Sequence, residues 1–114
     1  MQFGLTSEQQ MLVDSVRAFV EAELAPHEDE VERTDKVRPE LIQQIKAKAL
    51  QAGFYAANMP EDLGGGGLDH VALALMEREL GRTSFALQYA VARPSNILRA
   101  CKGEQIDRYL KPAI

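Results

Sequence analysis

Four consecutive glycines, residues 64–67, are the most conspicuous group that could do chemistry, because bare backbone N–H groups ahead of a helix can hold a phosphate. The surrounding sequence does not support such a site. No strand-like segment precedes the run, no Gly-Lys-Ser/Thr follows it, and Asp69 places a negative charge at the start of the next helix. We therefore expect these glycines to form a tight structural turn.

A second polar group begins at His27, where three acids follow directly and suggest a metal site. Zinc sites combine several His and Cys ligands, and here there is no second His at helical spacing and no nearby Cys. From His27 to Glu40, with Glu40 included, the chain has six acids and three bases, with two valines as the only aliphatic residues. This composition favours a solvated short helix or loop over a metal site.

No nucleophile or general base stands out from the remaining residues. Neither Ser84 nor Ser95 lies in a Gly-x-Ser-x-Gly elbow, and Ser84 is placed to cap a helix. The single Cys101 is expected to be an inert core thiol. Glu77 and Glu79 face different sides of one predicted helix, so we expect each to bind Arg78 or a cation of another helix. The residues by themselves predict no catalytic centre.

Composition narrows the class of protein. The 114 residues, 46% hydrophobic and 26% charged, fit one ordinary globular domain. The single cysteine can form no bridge within the chain, and a net charge of −4 offers no cationic field for nucleic acid. The apolar runs are far shorter than the roughly 18 residues of a membrane span, and the first residues lack signal-peptide features. We expect a soluble, cytoplasmic protein that binds neither nucleic acid nor membranes.

The elements that position these residues are predicted to be helices throughout, because the apolar residues recur at helical spacing. This predicts one all-α domain over residues 1–114, an orthogonal or up-down bundle of five to six helices. Residues 54–59 are apolar but have no partner strand, so we expect a packed connector. The predicted helices run from Thr6 or Ser7 to Pro26, from Pro39 to Gly53, from Asp69 to Gly81, from Phe85 to Ala100 with a kink at Pro94, and from Glu104 to Leu110.

Five weak motifs follow one another in a specific order. They are residues 5–10 with 16–19 and 24–27, residues 39–41 with Gly53, residues 59–68 (MPEDLGGGGL), residues 79–82 (ELGR), and residues 104–112. On these motifs the chain resembles, from end to end, the N-terminal helical domain of the acyl-CoA dehydrogenase family of flavoproteins. One departure is Cys101-Lys102-Gly103, where the family usually has Gly followed by Thr or Ser and an acid. The departure concerns a turn.

The resemblance implies an enzyme that takes an α-proton from an acyl-CoA substrate with a Glu base while the β-hydride passes to N5 of FAD. It further implies an electron-transfer flavoprotein as electron acceptor and a homo-oligomer, either a tetramer or a dimer. The catalytic Glu, the flavin-binding β domain and a C-terminal helical bundle are then expected outside this chain, as remaining domains of the parent protein that bind most of the FAD. None of Glu77, Glu79 or Glu104 matches the base, so no residue here is assigned a catalytic role.

By the same resemblance, this chain supplies one wall of the acyl-tail cavity, from the helix that carries Phe85, Gln88, Tyr89 and Ala92. The alternative is that Phe85 and Tyr89 are ordinary core residues four apart on a helix. The apolar Ile114, directly after a predicted helix, leads us to expect the opening portion of a longer protein. Two other functions stay open: a non-catalytic helical protein-interaction module, and a related acyl-CoA oxidase or flavin-dependent monooxygenase.

Overall fold

The computed structural model describes residues 4–91, 94 and 96–114, and every regular element in this part of the chain is helical. The all-α prediction is thus confirmed. Within the same residues, no helix is both long and apolar enough to cross a bilayer. The α-helices are α1 (Ser7–Phe19), α2 (Glu28–Thr34), α3 (Pro39–Ala52), α4 (His70–Leu80), α5 (Phe85–Ala90) and α6 (Lys111–Ala113). The other helical segments are π-helical at Val20–Leu24 and Ile106–Leu110 and 3₁₀ at Ala25–His27, Glu61–Leu63 and Asn96–Ala100.

Helix α1 begins with the predicted capping box. The Thr6 hydroxyl accepts a hydrogen bond from the Gln9 backbone N–H at 3.1 Å, and the Gln9 side chain accepts one from the Thr6 N–H at 3.0 Å. Two backbone donors that a helix start leaves without partners are thereby satisfied. One face of α1 then packs against α4, with Val13, Val16 and Phe19 buried.

Both π-helical segments lie immediately before a proline-containing turn. The residue that follows each segment, Ala25 or Lys111, donates its N–H to the carbonyl five residues earlier. This wider turn carries the chain into a new helical segment in which Pro26 or Pro112 occupies a first-turn position, where no N–H donor is needed. The predictions that Pro26 and Pro112 end their helices are therefore wrong, because the chain stays helical through both.

Helix α3 has the predicted boundaries. Pro39 lies at its start, and Gly53 ends it in the left-handed conformation, with φ of 81°. Leu41, Ile45 and Ala49 form its buried stripe. Residues 54–59 then follow as turns, five of the six buried, and not as a strand, so the predicted packed connector is confirmed.

Asp69 caps the start of helix α4, as predicted: its carboxylate accepts a hydrogen bond from the Ala72 N–H at 2.8 Å. Five of its eleven residues are buried, a larger share than in α1 or α3. Leu73 and Leu75, two positions apart and therefore on nearly opposite sides of the helix, are both buried. Helix α4 is thus buried on more than one side, in keeping with the apolar residues at positions 71–76, and a strip that includes Val71, which is 56% exposed, faces outward.

Helix α5 is much shorter than the predicted helix from Phe85 to Ala100. It ends at Ala90, and Asn96–Ala100 forms a separate 3₁₀ turn. Pro94 cannot donate to the Ala90 carbonyl and its ring would collide with that group, so the helix ends at Ala90 and does not continue through a kink at Pro94 as predicted. The buried amide of Asn58 donates to the Pro94 carbonyl at 2.7 Å and to the Asn96 side-chain oxygen at 2.8 Å, which holds these two residues against the connector.

Candidate functional site

Two aromatic rings stand on the outer face of α5. Phe85 is 76% exposed and Tyr89 is 70% exposed, and their ring centroids lie 5.9 Å apart, as expected for residues one turn apart. The opposite face of the helix carries Leu87 and Ala90, both buried in the core. The alternative that Phe85 and Tyr89 are core residues is therefore wrong for this chain. The rings thus form an exposed aromatic pair on a helix whose opposite face packs into the core.

The other two predicted wall residues are Gln88, which the structure describes, and Ala92, which it does not. Gln88 is half-buried on the same helix, and its side-chain amide donates to the Thr83 carbonyl at 2.9 Å. This bond ties the middle of α5 to the turn that precedes it. Ala92 lies outside the residues that the structure describes. Phe85, Gln88 and Tyr89 are thus placed together on one six-residue helix.

The start of α5 depends on an acid from the segment that the sequence predicts to be solvated, residues 27–40. The Glu28 carboxylate, on α2, accepts a hydrogen bond from the Ser84 backbone N–H at 2.8 Å. Ser84 occupies the cap position as predicted, but its side chain makes no capping hydrogen bond. The two residues are 56 positions apart, so no local pattern pointed to their contact.

Glu79 is the one buried acid among the described residues, at 1% exposure, and it is surrounded by guanidinium groups. Arg17 donates to both carboxylate oxygens, at 3.0 and 3.1 Å, and thereby joins α1 to α4. Arg82 and Arg78 donate at 2.7 and 3.2 Å. The Arg17 hydrogen bonds lower the pKa of Glu79 to about 2 against the opposing effect of burial. The predicted cation partners are confirmed for Glu79, and this carboxylate stays ionised as a structural group.

The glycine run forms the predicted structural turn, because its amides are used by the chain itself. A Cβ on Gly65 would lie 2.4 Å from the Met59 carbonyl oxygen, so only glycine allows the two backbones to approach this closely. Three successive amides donate to carbonyls of the preceding segment: Gly65 to Pro60 at 2.9 Å, Gly66 to Ala56 at 3.1 Å and Gly67 to Met59 at 2.8 Å.

This hydrogen bonding also decides whether the loop fits the diphosphate of a flavin dinucleotide. A phosphate cradle needs N–H groups that point outward without partners. The amides of Gly65, Gly66 and Gly67 already donate to backbone oxygens, and Asp69 adds a negative charge two residues later. The loop therefore does not fit that group. Over residues 4–91, 94 and 96–114, no cluster of three or more His, Cys, Asp or Glu side chains is arranged to hold a metal ion.

An open apolar groove of about 480 Å³ lies between α1 and the end of α3. Phe19 and Phe54 meet edge to face in its wall, with centroids 5.3 Å apart. None of the predicted wall residues on α5 contributes to this groove. Its lining consists of Met11, Leu12, Ser15, Phe19, Ala52 and Phe54.

Comparison with known proteins relates the chain to one family and to several of its members. Residues 6–114 match the family described as "Acyl-CoA dehydrogenase, N-terminal domain". Over 96% of its length the chain is 30% identical to a 3-(aryl)acrylate reductase of Clostridium sporogenes, of which it covers 29%. Over 81% it is 37% identical to a probable acyl-CoA dehydrogenase of Bacillus subtilis, of which it covers 24%.

A third relative is named as part of an assembly. Over 95% of its length the chain is 33% identical to the caffeyl-CoA reductase–Etf complex subunit CarC of Acetobacterium woodii, of which it covers 29%. The chain thus spans less than a third of the length of these three relatives. No solved structure matches the chain.

Proposed function

We propose that the whole protein is an FAD-dependent enzyme that removes two hydrogens from an acyl-CoA thioester. The premise is that this chain belongs to the acyl-CoA dehydrogenase family as an N-terminal domain. The match over residues 6–114 carries this proposal. The flavin-binding β domain and the C-terminal helical bundle are proposed to lie outside this chain. Because the glycine loop does not fit a diphosphate, FAD is proposed to be bound mainly by those domains.

The role that we propose for this domain is to form one wall of the acyl-tail cavity. The supporting observation is that Phe85 and Tyr89 are both exposed on a helix whose other face is buried. Exposed apolar groups that lie side by side are typical of surfaces that a ligand or another domain covers. Two rings beside one half-buried amide suit an alkyl tail that offers few polar groups for recognition. Ala92, the fourth predicted wall residue, belongs to the same proposal.

The proposed partners follow from the same family. Electrons are proposed to pass to an electron-transfer flavoprotein, which is in keeping with a relative named as a subunit of an Etf complex. The assembly is proposed to be a homotetramer or homodimer located in the cytoplasm. The catalytic base is proposed to be a Glu outside this chain. Glu79, the buried acid of the described residues, is held by three guanidinium groups and is not proposed for that role.

A second candidate function runs the same chemistry in the opposite direction. Two relatives are named as reductases, one for 3-(aryl)acrylates and one for caffeyl-CoA. The protein would then reduce an α,β-unsaturated acyl group. To separate the two candidates, saturated thioesters are assayed with an oxidised electron acceptor and α,β-unsaturated thioesters with a reduced electron donor. The direction with the higher kcat/KM identifies the candidate that holds.

The test of the wall compares acyl-CoA substrates from short to long chains on the full-length wild type and on Tyr89→Ala. Shrinking the ring lengthens the cavity, so kcat/KM is expected to shift toward longer chains, by about 1–3 kcal/mol of discrimination per methylene accommodated. Flavin absorbance is expected to be unchanged. Tyr109→Ala, which removes a 52% exposed ring outside α5, is the matched control. An unaltered chain-length profile in Tyr89→Ala would remove α5 from the cavity wall.

A further inference from the structure

The cap position of α5 is occupied by a residue that does not perform the usual capping. A Ser at this position ordinarily accepts a hydrogen bond from an N–H of the first helical turn. Ser84 has the extended backbone of a cap residue, with φ of −63° and ψ of 153°, but its side chain makes no such bond. The Ser84 hydroxyl oxygen is instead buried without a hydrogen-bond partner. The Ser84 side chain therefore does not fix where α5 begins.

Glu28 supplies the contact. Its carboxylate reaches across from α2 and accepts the Ser84 backbone N–H at 2.8 Å, a charge-assisted bond of normal length. Glu28 is also the first residue of α2. The carboxylate therefore provides an acceptor for a backbone N–H that the start of α5 leaves without an intrahelical partner.

The shortness of α5 makes this contact important for position. A helix of six residues has little stability of its own and takes its place from the contacts that it makes. Leu87 and Ala90 fix its inner face in the core. Those apolar contacts have no directional preference. The hydrogen bond from Gln88 to the Thr83 carbonyl is directional but local, whereas the bond to Glu28 ties the start of α5 to a separate element, α2, at a defined distance. It therefore sets the point from which Phe85 and Tyr89 project.

We propose that Glu28 is a positioning residue: by holding the start of α5 it fixes the direction of the aromatic pair and thereby sets the acyl-chain length that the enzyme prefers. The last step rests on the proposed function of the α5 wall. Glu28 itself touches no substrate in this scheme. It acts through the Ser84 N–H and the helix that follows.

The test uses the full-length protein and three variants at neighbouring positions. Glu28→Ala removes the acceptor, whereas Glu28→Gln keeps a carbonyl oxygen at the same place and is expected to restore the contact. Asp29→Ala removes the same charge from the same turn of α2, at an exposed residue, and is the matched control. Two quantities are measured: hydrogen–deuterium exchange of the segment 84–90, and kcat/KM over a series of acyl-CoA chain lengths.

Loss of one net hydrogen bond corresponds to about a fivefold change in an opening equilibrium. We expect exchange in segment 84–90 to be about fivefold faster in Glu28→Ala and near wild type in Glu28→Gln and Asp29→Ala. The chain-length profile is expected to broaden in Glu28→Ala alone, with about a tenfold change in the ratio of long-chain to short-chain kcat/KM.

The outcomes separate the inference from the proposed function. Unchanged exchange in Glu28→Ala would overturn the anchoring role. Faster exchange with an unchanged chain-length profile, in an enzyme whose profile does respond to Tyr89→Ala, would overturn the positioning role and leave the wall in place. A wild type without activity on any acyl-CoA or enoyl-CoA would remove the proposed function together with the specificity step, whereas the exchange data would still show whether Glu28 holds α5.

Discussion

Replacing Arg17 with Ala tests how the buried carboxylate of Glu79 joins α1 to α4. The substitution removes two hydrogen bonds of 3.0 and 3.1 Å to a side chain that is 1% exposed. Breaking a fully buried ion pair typically costs about 3–5 kcal/mol. Here Arg17 is 40% exposed, and Arg78 and Arg82 still face the carboxylate. We therefore expect a smaller loss, about 2 kcal/mol in the free energy of unfolding.

The same network predicts a defined dependence of stability on pH. The pKa of Glu79 is lowered from its ordinary value of 4.5 to about 2 in the folded chain. A carboxyl group with a lowered folded-state pKa contributes stability that is fully present above its unfolded-state pKa and is lost as pH falls through the folded-state value. The wild-type contribution is therefore expected to decline between about pH 4.5 and about pH 2. In Arg17→Ala the folded-state pKa rises, so less stability is left to lose over this range.

Urea unfolding of the 114-residue chain, followed by far-UV circular dichroism at several pH values, measures both effects. Glu79→Gln is expected to abolish this part of the pH dependence, because the amide does not titrate. Glu104→Gln, at an exposed acid, is the matched control. If Arg17→Ala unfolds at the wild-type urea concentration at pH 7, or if Glu79→Gln keeps the full acid-induced decline, the network does not join α1 to α4 as described.

Three further predictions concern the loop, the core and the cofactor. Gly65→Ala is expected to lower the free energy of unfolding by at least about 2 kcal/mol, because the new Cβ would lie 2.4 Å from the Met59 carbonyl oxygen. Gly4→Ala, where a Cβ would meet no atom within 4 Å, is the control and is expected to unfold like wild type in the same urea titration. Leu75→Ala is expected to lower the free energy of unfolding by about 2–5 kcal/mol, because Leu75 is only 9% exposed. Val71→Ala, at a residue that is 56% exposed on the same helix, is expected to lower it by less than about 0.5 kcal/mol. Equal losses in chemical denaturation would contradict this assignment of the buried and exposed sides of α4. The chain alone is expected to purify without flavin, and a stoichiometric flavin absorbance spectrum would overturn the view that FAD is bound elsewhere.

Local signals in the sequence predicted the parts of the fold that depend on neighbouring residues. The capping box at Thr6, the Asp69 cap, the proline at the start of α3 and the left-handed Gly53 each involve contacts within a few positions. Such features need no knowledge of the tertiary structure, and all four are confirmed. The ordered set of weak motifs likewise identified the family to which the chain belongs.

The features that could not be predicted depend on geometry between distant residues. Pro26 and Pro112 carry the usual signal for a helix end, but a π-helical turn before each one lets the chain continue as helix. Glu28 sits in a stretch of charges that is typical of a solvated surface, and its contact with Ser84 spans 56 positions. Helical spacing alone cannot tell whether an aromatic pair faces the core or solvent.

A crystal structure of the full-length protein with a long-chain acyl-CoA bound gives the most direct measurement of what covers α5. If α5 forms a wall of the acyl cavity, carbon atoms of the tail will lie within about 4–4.5 Å of the Tyr89 or Phe85 ring, the distance of apolar contact. If both rings are instead covered by another domain of the same protein, with the acyl tail outside contact distance of α5, the proposed role of this helix in substrate binding is wrong.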